Sequence, residues 1–305
     1  MKDKLLISGS YGFVGSNLFQ YLNEKNHSLI ISSLGRKDLE CVNQKVLRGA
    51  NTILHLAGKA HDLKKVSNPG EYYQVNFQLT KNLFDVFLNS AAKKFIFISS
   101  VKAAADEVDG ILTESLLPNP QTHYGKSKLM AEQYIQSQPL PAGKSYYILR
   151  PCMIHGPRNK GNLNLLYQVV KKGIPYPLAG FHNKRSFLSV ENLCFIIQEL
   201  ITRDDIESGI YHVADDEGLS TNEVVSILAA SLNKKAQLWN ISPKVITFFA
   251  KIGDMLHLPL TTERLSKLTE SYIVSNAKIK AAINKKLPLN AKEGLQRTAA
   301  SFSKV

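Results

Sequence analysis

The sequence predicts an α/β protein built on a doubly wound parallel sheet, with a smaller C-terminal lobe closing over it. Three observations carry that expectation. Short apolar runs recur through the first half: KLLISG (4–9), SLIISSLG (28–35), NTILHLAG (51–58), KKFIFISS (93–100) and SYYILRP (145–151). Helical patterns lie between them, notably SNLFQYLNEK (16–25), YYQVNFQLTKNLFDVFLNSA (72–91) and residues 124–136. The first run ends in a glycine-rich turn that opens a helix. Apolar strands alternating with helices indicate βαβ units and a parallel sheet covered on both faces. The right-handed crossover rule then makes the sheet doubly wound.

After Pro151 the texture changes. HGPRNKGNLN (155–164) and GIPYPLAGFHNKRSF (173–187) are rich in Gly, Pro and Asn and read as loops. GIYHVAD (209–215) reads as one more strand of the sheet. TNEVVSILAASLN (221–233) is an amphipathic helix with Thr221 expected as its N-cap. The C-terminal stretch mixes helix with Pro243, Pro259 and Pro288. The expected division is a dinucleotide-binding domain over 1–152, with 188–214 returning to it. Residues 153–187 and 215–305 then form the substrate lobe.

The 305 residues suffice for one large domain or two modest ones, and a 44% hydrophobic, 21% charged composition suits a globular chain. No apolar run approaches the ~18 residues of a membrane span, and the N-terminus enters a strand pattern at once, so a cytoplasmic protein without a signal peptide is expected. Cys41, Cys152 and Cys194 lie far apart and show no metal or redox spacing, so reduced thiols and no metal site are expected. The net charge is +13. Its lysines are scattered in pairs such as Lys64–Lys65, Lys93–Lys94, Lys171–Lys172, Lys234–Lys235 and Lys285–Lys286. That spread argues against a nucleic-acid partner and suits an anionic small substrate or loose contact with an acidic membrane surface.

ISGSYGFVGSNLF (7–19) sets Gly9, Gly12 and Gly15 between the first strand and the first helix. There, backbone N–H groups and the helix dipole attract a pyrophosphate. The spacing is G-x-x-G-x-x-G, and its place after a strand and before a helix marks a dinucleotide-binding turn of the Rossmann type. The second strand ends IISSLGRKD, with Ser33 roughly where a ribose-binding acid would sit and Arg36 three residues on. A missing carboxylate and a nearby arginine favour NADP(H), with NAD(H) possible. The other reading makes Arg36 a solvent-facing turn residue and gives the ribose to Asp38.

HYGKSKLMAEQYI (123–135) reads as helix. Tyr124 and Lys128 are four apart and share one face. Such a pair arises by chance on many surface helices. It also suits proton transfer, because a nearby cation lowers a phenol's pKa.

Ser99 and Ser100 end the fourth apolar run, and Tyr124 and Lys128 follow Ser100 by 24 and 28 residues. With the glycine turn, this combination resembles the extended short-chain dehydrogenase/reductase family of NAD-dependent nucleotide-sugar epimerases, dehydratases and reductases, over nearly the whole chain. The resemblance implies Ser100, Tyr124 and Lys128 as catalytic residues. It implies cofactor contacts from Gly9, Tyr11, Gly12, Phe13, Val14 and Gly15, from Ser33 and Arg36, from Leu56, Ala57 and Gly58 of HLAG, and from Asn76, Ser99, Tyr124, Lys128 and Pro151. It implies substrate contacts from Lys59, Ser100, Lys102, Asn162 and Arg185. Arg185 lies in NKRSFLSVENL, where the family's arginine grips the nucleotide diphosphate; the bland reading is an ordinary loop charge. HLAGKAH, SSVK and the C-terminal tail look most like bacterial reductases and epimerases of UDP-N-acetylamino sugars for O-antigen and capsule precursors. Two departures stand out. The segment between the second and third strands is short. Val101–Lys102 follow Ser100 where the family's 4,6-dehydratases carry an Asp-Glu pair, so dehydration lacks its acid and base. The expected reaction is reduction of a UDP-linked 4-keto, 6-deoxy sugar, the alternative is 4-epimerisation, and a rival of another class is a non-catalytic NAD(P) sensor or partner-binding protein. The family habit of packing two long helices per subunit into a bundle implies a homodimer.

Overall fold

In the computed structural model, which describes residues 3–25, 29–60, 68–159, 161–256 and 260–302, the first apolar run is strand β1 (Lys4–Ser8). His61, Lys64–Lys65, Lys160 and Pro259, which figure in the sequence readings, lie outside the described residues. The glycine turn leads into α1 (Phe13–Lys25), followed by β2 (Ile30–Leu34), α2 (Arg36–Glu40) and β3 (Thr52–His55). The long helical pattern is α3 (Gly70–Tyr72), a π-helical segment Tyr73–Gln78, and α4 (Leu79–Leu88). Strand β4 (Lys94–Ile98) precedes a 3-10 turn, Val101–Ala103, and β5 (Ile111–Leu112). Then come α5 (His123–Ser137), β6 (Ser145–Pro151), β7 (Met153–His155), α6 (Asn162–Lys171), β8 (Phe187–Ser189), α7 (Val190–Thr202) and β9 (Gly209–Val213). The remainder is α8 (Thr221–Ser231), α9 (Pro243–Leu256), α10 (Thr262–Thr269), β10 (Ile273–Val274), α11 (Ala277–Ile283) and α12 (Ala291–Phe302).

Six strands form the central sheet in the order β2-β1-β3-β4-β6-β9, and every pair is parallel. The expected doubly wound α/β sheet is what the chain forms. Period-two alternation divides its side chains between two cores. Leu5, Ile7, Leu54 and Leu149 face α1 and α7, against Leu18, Leu22, Leu193 and Ile197. Leu6, Ile53, Phe95 and Ile148 face α4 and α5, against Leu83, Phe84, Phe87 and Ile135. The winding reverses between β1 and β3. In open sheets of this kind ligands bind in the crevice outside the carboxyl ends of the strands, at such a reversal.

Two smaller clusters build the lobe. One joins α6, α8 and α12 through Leu163, Tyr167, Val224, Leu295 and Phe302. The other joins Leu178 to Ile246 and Ala250 of α9 and Leu265 of α10. Within 215–305, however, Val274, Ile279 and Ile283 belong to the core of the sheet. The expected cap of α8 is corrected by one residue. Ser220 is the N-cap, its hydroxyl accepting from the Glu223 N–H while the Glu223 carboxylate accepts from the Ser220 N–H. The reciprocal capping box outcompetes a lone Thr221. Helix α6 starts at Asn162, inside the stretch read as loop.

Phe84, Phe87 and Phe95 pack with ring centroids 5.0–5.5 Å apart and all are fully buried. Phe84→Ala is expected to cost about 3–5 kcal/mol of stability, read from urea unfolding curves. A loss below about 1 kcal/mol would mean that the cluster collapses around the cavity.

Candidate active site

Gly9 ends β1 with φ of +74°, and a β-carbon there would stand 2.7 Å from the backbone nitrogen of Ala57. Only glycine lets the turn after β1 lie this close to the loop after β3. The Gly12 N–H donates to the Gly9 carbonyl at 3.0 Å, which closes the turn and starts α1. The first-turn N–H groups, from Phe13, Val14 and Gly15, point out of the helix start toward the crevice. Tyr11 stands 91% exposed over the turn. Ser10 is buried, and its hydroxyl has no hydrogen-bond partner among the described residues. A buried polar group without a partner is costly, and a diphosphate oxygen at this turn would satisfy it. The turn therefore fits a dinucleotide.

Behind it runs a proton-ordered chain. The Ala57 N–H donates to Ser8 Oγ at 3.2 Å, and Ser8 Oγ meets His55 Nδ1 at 2.6 Å. His55 Nε2 lies 3.0 Å from Thr80 Oγ1, which donates its only proton to the Asn76 carbonyl. His55 therefore carries its proton on Nε2 and accepts from Ser8. Burial, helped by the Lys128 charge, pushes its pKa down to about 3. Asn76 sits in the π-helical segment. Its side chain accepts from the Lys59 N–H at 2.7 Å and donates to the Lys59 carbonyl and to Ser127 Oγ at 3.0 Å each. One amide thus ties the loop after β3 to α5, with Gly58 between Asn76 Oδ1 and Lys128 Nζ. The Lys59 ammonium pairs with Glu71.

Helix α5 presents the Tyr124 face. Thr122 caps it by accepting from the Gly125 N–H, and Asp106 accepts from the Gln121 and Thr122 N–H groups ahead of it. A β-carbon on Gly125 would lie 2.3 Å from the Lys102 carbonyl, so glycine there lets the helix start abut the turn after β4. That contact brings Tyr124 within hydrogen-bond reach of Ser100. Ser100 Oγ in turn accepts from the Lys102 N–H at 3.2 Å. The expected lowering of the Tyr124 pKa by Lys128 is not what the structure shows. Burial raises the phenol, with the Ser100 hydrogen bond opposing and Tyr72 adding to the rise. The Lys128 ammonium instead donates to the Ile98 carbonyl at 2.9 Å and lies 4.7 Å from the centroid of Phe97. Its own pKa falls to about 8 through burial, opposed by Glu132.

The remaining expected residues spread more widely. Lys102 lies 4.5 Å from the ring centroid of Tyr272, donates to the Asp106 carbonyl at 2.6 Å, and is lowered by burial and, more weakly, by Arg185. Arg185 is no free loop charge. It donates to the Glu270 and Lys267 carbonyls at the end of α10. Asn162 is exposed at the start of α6, and no contact joins it to Ser100 or Tyr124 among those described. Ser33 is exposed near the end of β2. Arg36 pairs with Glu40 at 2.9 Å, and Asp38 accepts from the Gly35 N–H at 2.8 Å. Ser99 donates to Glu132, and Pro151 ends β6 opposite Val213. Leu56 packs on one core and Ala57 on the other.

Sequence reasoning passed over Ser10, Gly125, Glu132 and Arg150. Glu132 is one further turn beyond Lys128 on the Tyr124 face, so the period of four could have found it. Arg150, which precedes Pro151, is fully buried and clamps Glu132.

The sequence model of the NAD dependent epimerase/dehydratase family matches residues 5–214. A UDP-glucose 4-epimerase from Vibrio cholerae is 29% identical over 99% of this chain and 96% of its own. The N-acetyl-alpha-D-glucosaminyl-diphospho-ditrans,octacis-undecaprenol 4-epimerase of Escherichia coli O157:H7 is 30% identical over 92% of this chain and 85% of its own. Among solved structures, MoeE5 in complex with UDP-glucuronic acid and NAD shares the fold, with a TM-score of 0.77, 20% identity and 99% of each chain covered.

His55 carries a pH prediction. Its folded pKa lies below the ordinary 6.5, so the unfolded chain takes up the proton first as pH falls. Its contribution to stability is whole above about 6.5 and is lost on acidification toward the folded value. At about 1.36 kcal/mol per unit, the wild type is expected to lose about 2 kcal/mol more than His55→Gln between pH 7 and pH 5. Denaturant melts at the two pH values measure it, and parallel losses in both proteins would refute it.

Proposed function

Because the chain belongs to the NAD dependent epimerase/dehydratase family, we propose that it transfers hydride at C4 of a hexose held through a diphosphate, with C4 epimerisation as the net reaction. Hydride transfer at C4 is supported by the placing of Tyr124 within reach of Ser100, at the same edge of the sheet as the glycine turn, and epimerisation as the net reaction by the likeness to two 4-epimerases. A nicotinamide cofactor bound at the glycine turn would supply the hydride acceptor and donor for C4. Tyr124 takes the proton of the C4 hydroxyl as C4 becomes a ketone, and gives it back on reduction of the opposite face. Ser100 donates a hydrogen bond to the same oxygen while it carries negative charge. Lys128, which donates to the Ile98 carbonyl, would hold the nicotinamide ribose. Burial holds Tyr124 as a phenol at neutral pH, the form that gives the proton in the reductive half. The oxidative half needs the phenolate, which the Lys128 ammonium and the positive charge of an oxidised nicotinamide would favour with cofactor bound. Val101–Lys102 follow Ser100 where the dehydratases' acid pair would stand, and Lys102 is engaged with a carbonyl, which speaks against dehydration.

The substrate side is the lobe of 153–187 and 215–305, with Lys59, Lys102, Asn162 and Arg185 as contacts. We take UDP as the carrier and an N-acetylamino hexose as the sugar, in cytoplasmic synthesis of a surface glycan. The Escherichia coli relative acts on a sugar carried by undecaprenyl diphosphate, and the diphosphate is common to both. The half-buried Phe77, Val86 and Tyr134 on α4, α5 and the segment between α3 and α4 suit a homodimer. Presence of the Ser, Tyr and Lys together argues against a non-catalytic sensor.

Ketoreduction with NADPH is the second reading, and the end of β2 favours it. Asp38 is committed to the Gly35 N–H, whereas the Arg36–Glu40 pair is exposed. An exposed pair contributes about 0–1 kcal/mol, so Arg36 can turn to a 2′-phosphate. Incubation with UDP-N-acetylglucosamine and UDP-glucose, without added cofactor and followed by NMR, separates the two. The C4 epimer is expected. Consumption of NADPH on a UDP-4-keto sugar, with no epimer formed, would reverse the choice.

Tyr124→Phe is expected to lower kcat by about 10²–10⁴-fold and leave cofactor affinity within about twofold. Lys128→Met is expected to weaken both. Near-wild-type turnover in Tyr124→Phe would remove the acid/base assignment.

A further inference from the structure

Helix α9 is apolar on two sides. Ile246, Ala250 and Gly253 face inward and are buried, at the i, i+4, i+7 spacing of a core stripe. Val245, Phe248 and Phe249 are exposed on the outer side, with Ile252 half-buried beside them, and the exposed Met255 and Leu256 extend the patch. Phe248 is 61% exposed, Phe249 57% and Met255 73%. A soluble surface helix carries polar residues on its outer face, and a contiguous outer apolar patch marks an interaction site.

The charges around the patch are one-sided. From Leu232 to Leu256 the chain holds four lysines, Lys234, Lys235, Lys244 and Lys251, and one acid, Asp254. Asp254 is tied to the Thr262 N–H at 3.0 Å and to its hydroxyl at 2.7 Å. Lys244 and Lys251 lie four residues before and three after Phe248, on its stripe, and both are exposed. The single tryptophan, Trp239, is also exposed and lies between the bridge residues Leu238 and Asn240 ahead of the helix. Aromatic and aliphatic groups on one face, lysines at its edge and a length of 14 residues describe a helix that lies in a membrane interface. No helix among the described residues is long and apolar enough to cross a membrane.

We propose that the outer face of α9 docks this chain on an anionic lipid bilayer. The aromatic and aliphatic side chains enter the headgroup region, and Lys244 and Lys251 pair with lipid phosphates. The net charge of +13 adds long-range attraction. Self-association suits the face less well, because a twofold pairing sets the same lysines beside one another. Docking would also orient the lobe, since α9 packs on α10 and the end of α10 holds Arg185. The proposal does not depend on the reaction assigned above.

The test is co-sedimentation of the full chain with vesicles of three parts phosphatidylcholine to one part phosphatidylglycerol, and with phosphatidylcholine alone. The wild type is expected to pellet with the anionic vesicles and to be released by high salt. Phe248→Ser/Phe249→Ser and, separately, Lys244→Gln/Lys251→Gln are expected to bind about tenfold or more weakly, with unchanged circular dichroism. Wild type remaining in the supernatant, or both variants binding like the wild type, would overturn the proposal. So would a wild-type dimer that the phenylalanine variant converts to monomer, since a second copy would then cover the face.

Discussion

Glu132 on α5 and Arg150 on β6 are both fully buried, and the guanidinium reaches both carboxylate oxygens, with Nε at 3.0 and 3.1 Å. Ser99 donates to the same carboxylate from the end of β4, and His212 of β9 lies 3.4 Å from Arg150 Nη1. Three strands and one helix therefore meet on a single ion pair. Removing one partner of such a pair leaves an uncompensated buried charge, at a cost of about 3–5 kcal/mol. The pair fixes the rotation of α5 on the sheet. Lys128 and Tyr124 lie one and two turns back along the same face, so their reach toward the crevice follows from it.

The electrostatics of the site are set mainly by burial. His55 is held neutral, Lys128 is lowered to about 8, and the Tyr124 phenol is raised. Each group is compensated by a hydrogen bond to a neighbour whose own geometry is fixed: Ser8 and Thr80 for His55, the Ile98 carbonyl for Lys128, and Ser100 for Tyr124. Preorganised donors of this kind need little rearrangement when charge develops on a reacting oxygen.

The lobe is joined to this scaffold by contacts of a different kind. Tyr272 donates to the Ala105 carbonyl, receives the Lys102 ammonium over its ring, and forms a bridge with Arg185. Beyond it, α9 and α10 share a small core of Leu178, Ile246, Ala250 and Leu265. That core covers only one side of α9.

The sequence by itself determined the sheet and the local turns, because these follow from neighbours along the chain. The apolar runs, the glycine turn after β1 and the Tyr124–Lys128 spacing were all legible there. Thr221 was read as a cap because a single-residue preference misses the reciprocal bond between Ser220 and Glu223. Other features needed contacts across the fold. Nothing local shows that Gly125 meets the Lys102 carbonyl, that Glu132 finds Arg150, or that Asn76 ties the loop after β3 to α5. The Tyr124 pKa was misjudged for the same reason. A helical wheel places a cation one turn away, whereas desolvation and the partners of that cation depend on β4 and the turn after it. Burial and long-range hydrogen bonds are set by the packing of elements far apart in sequence, and only the tertiary structure decided them.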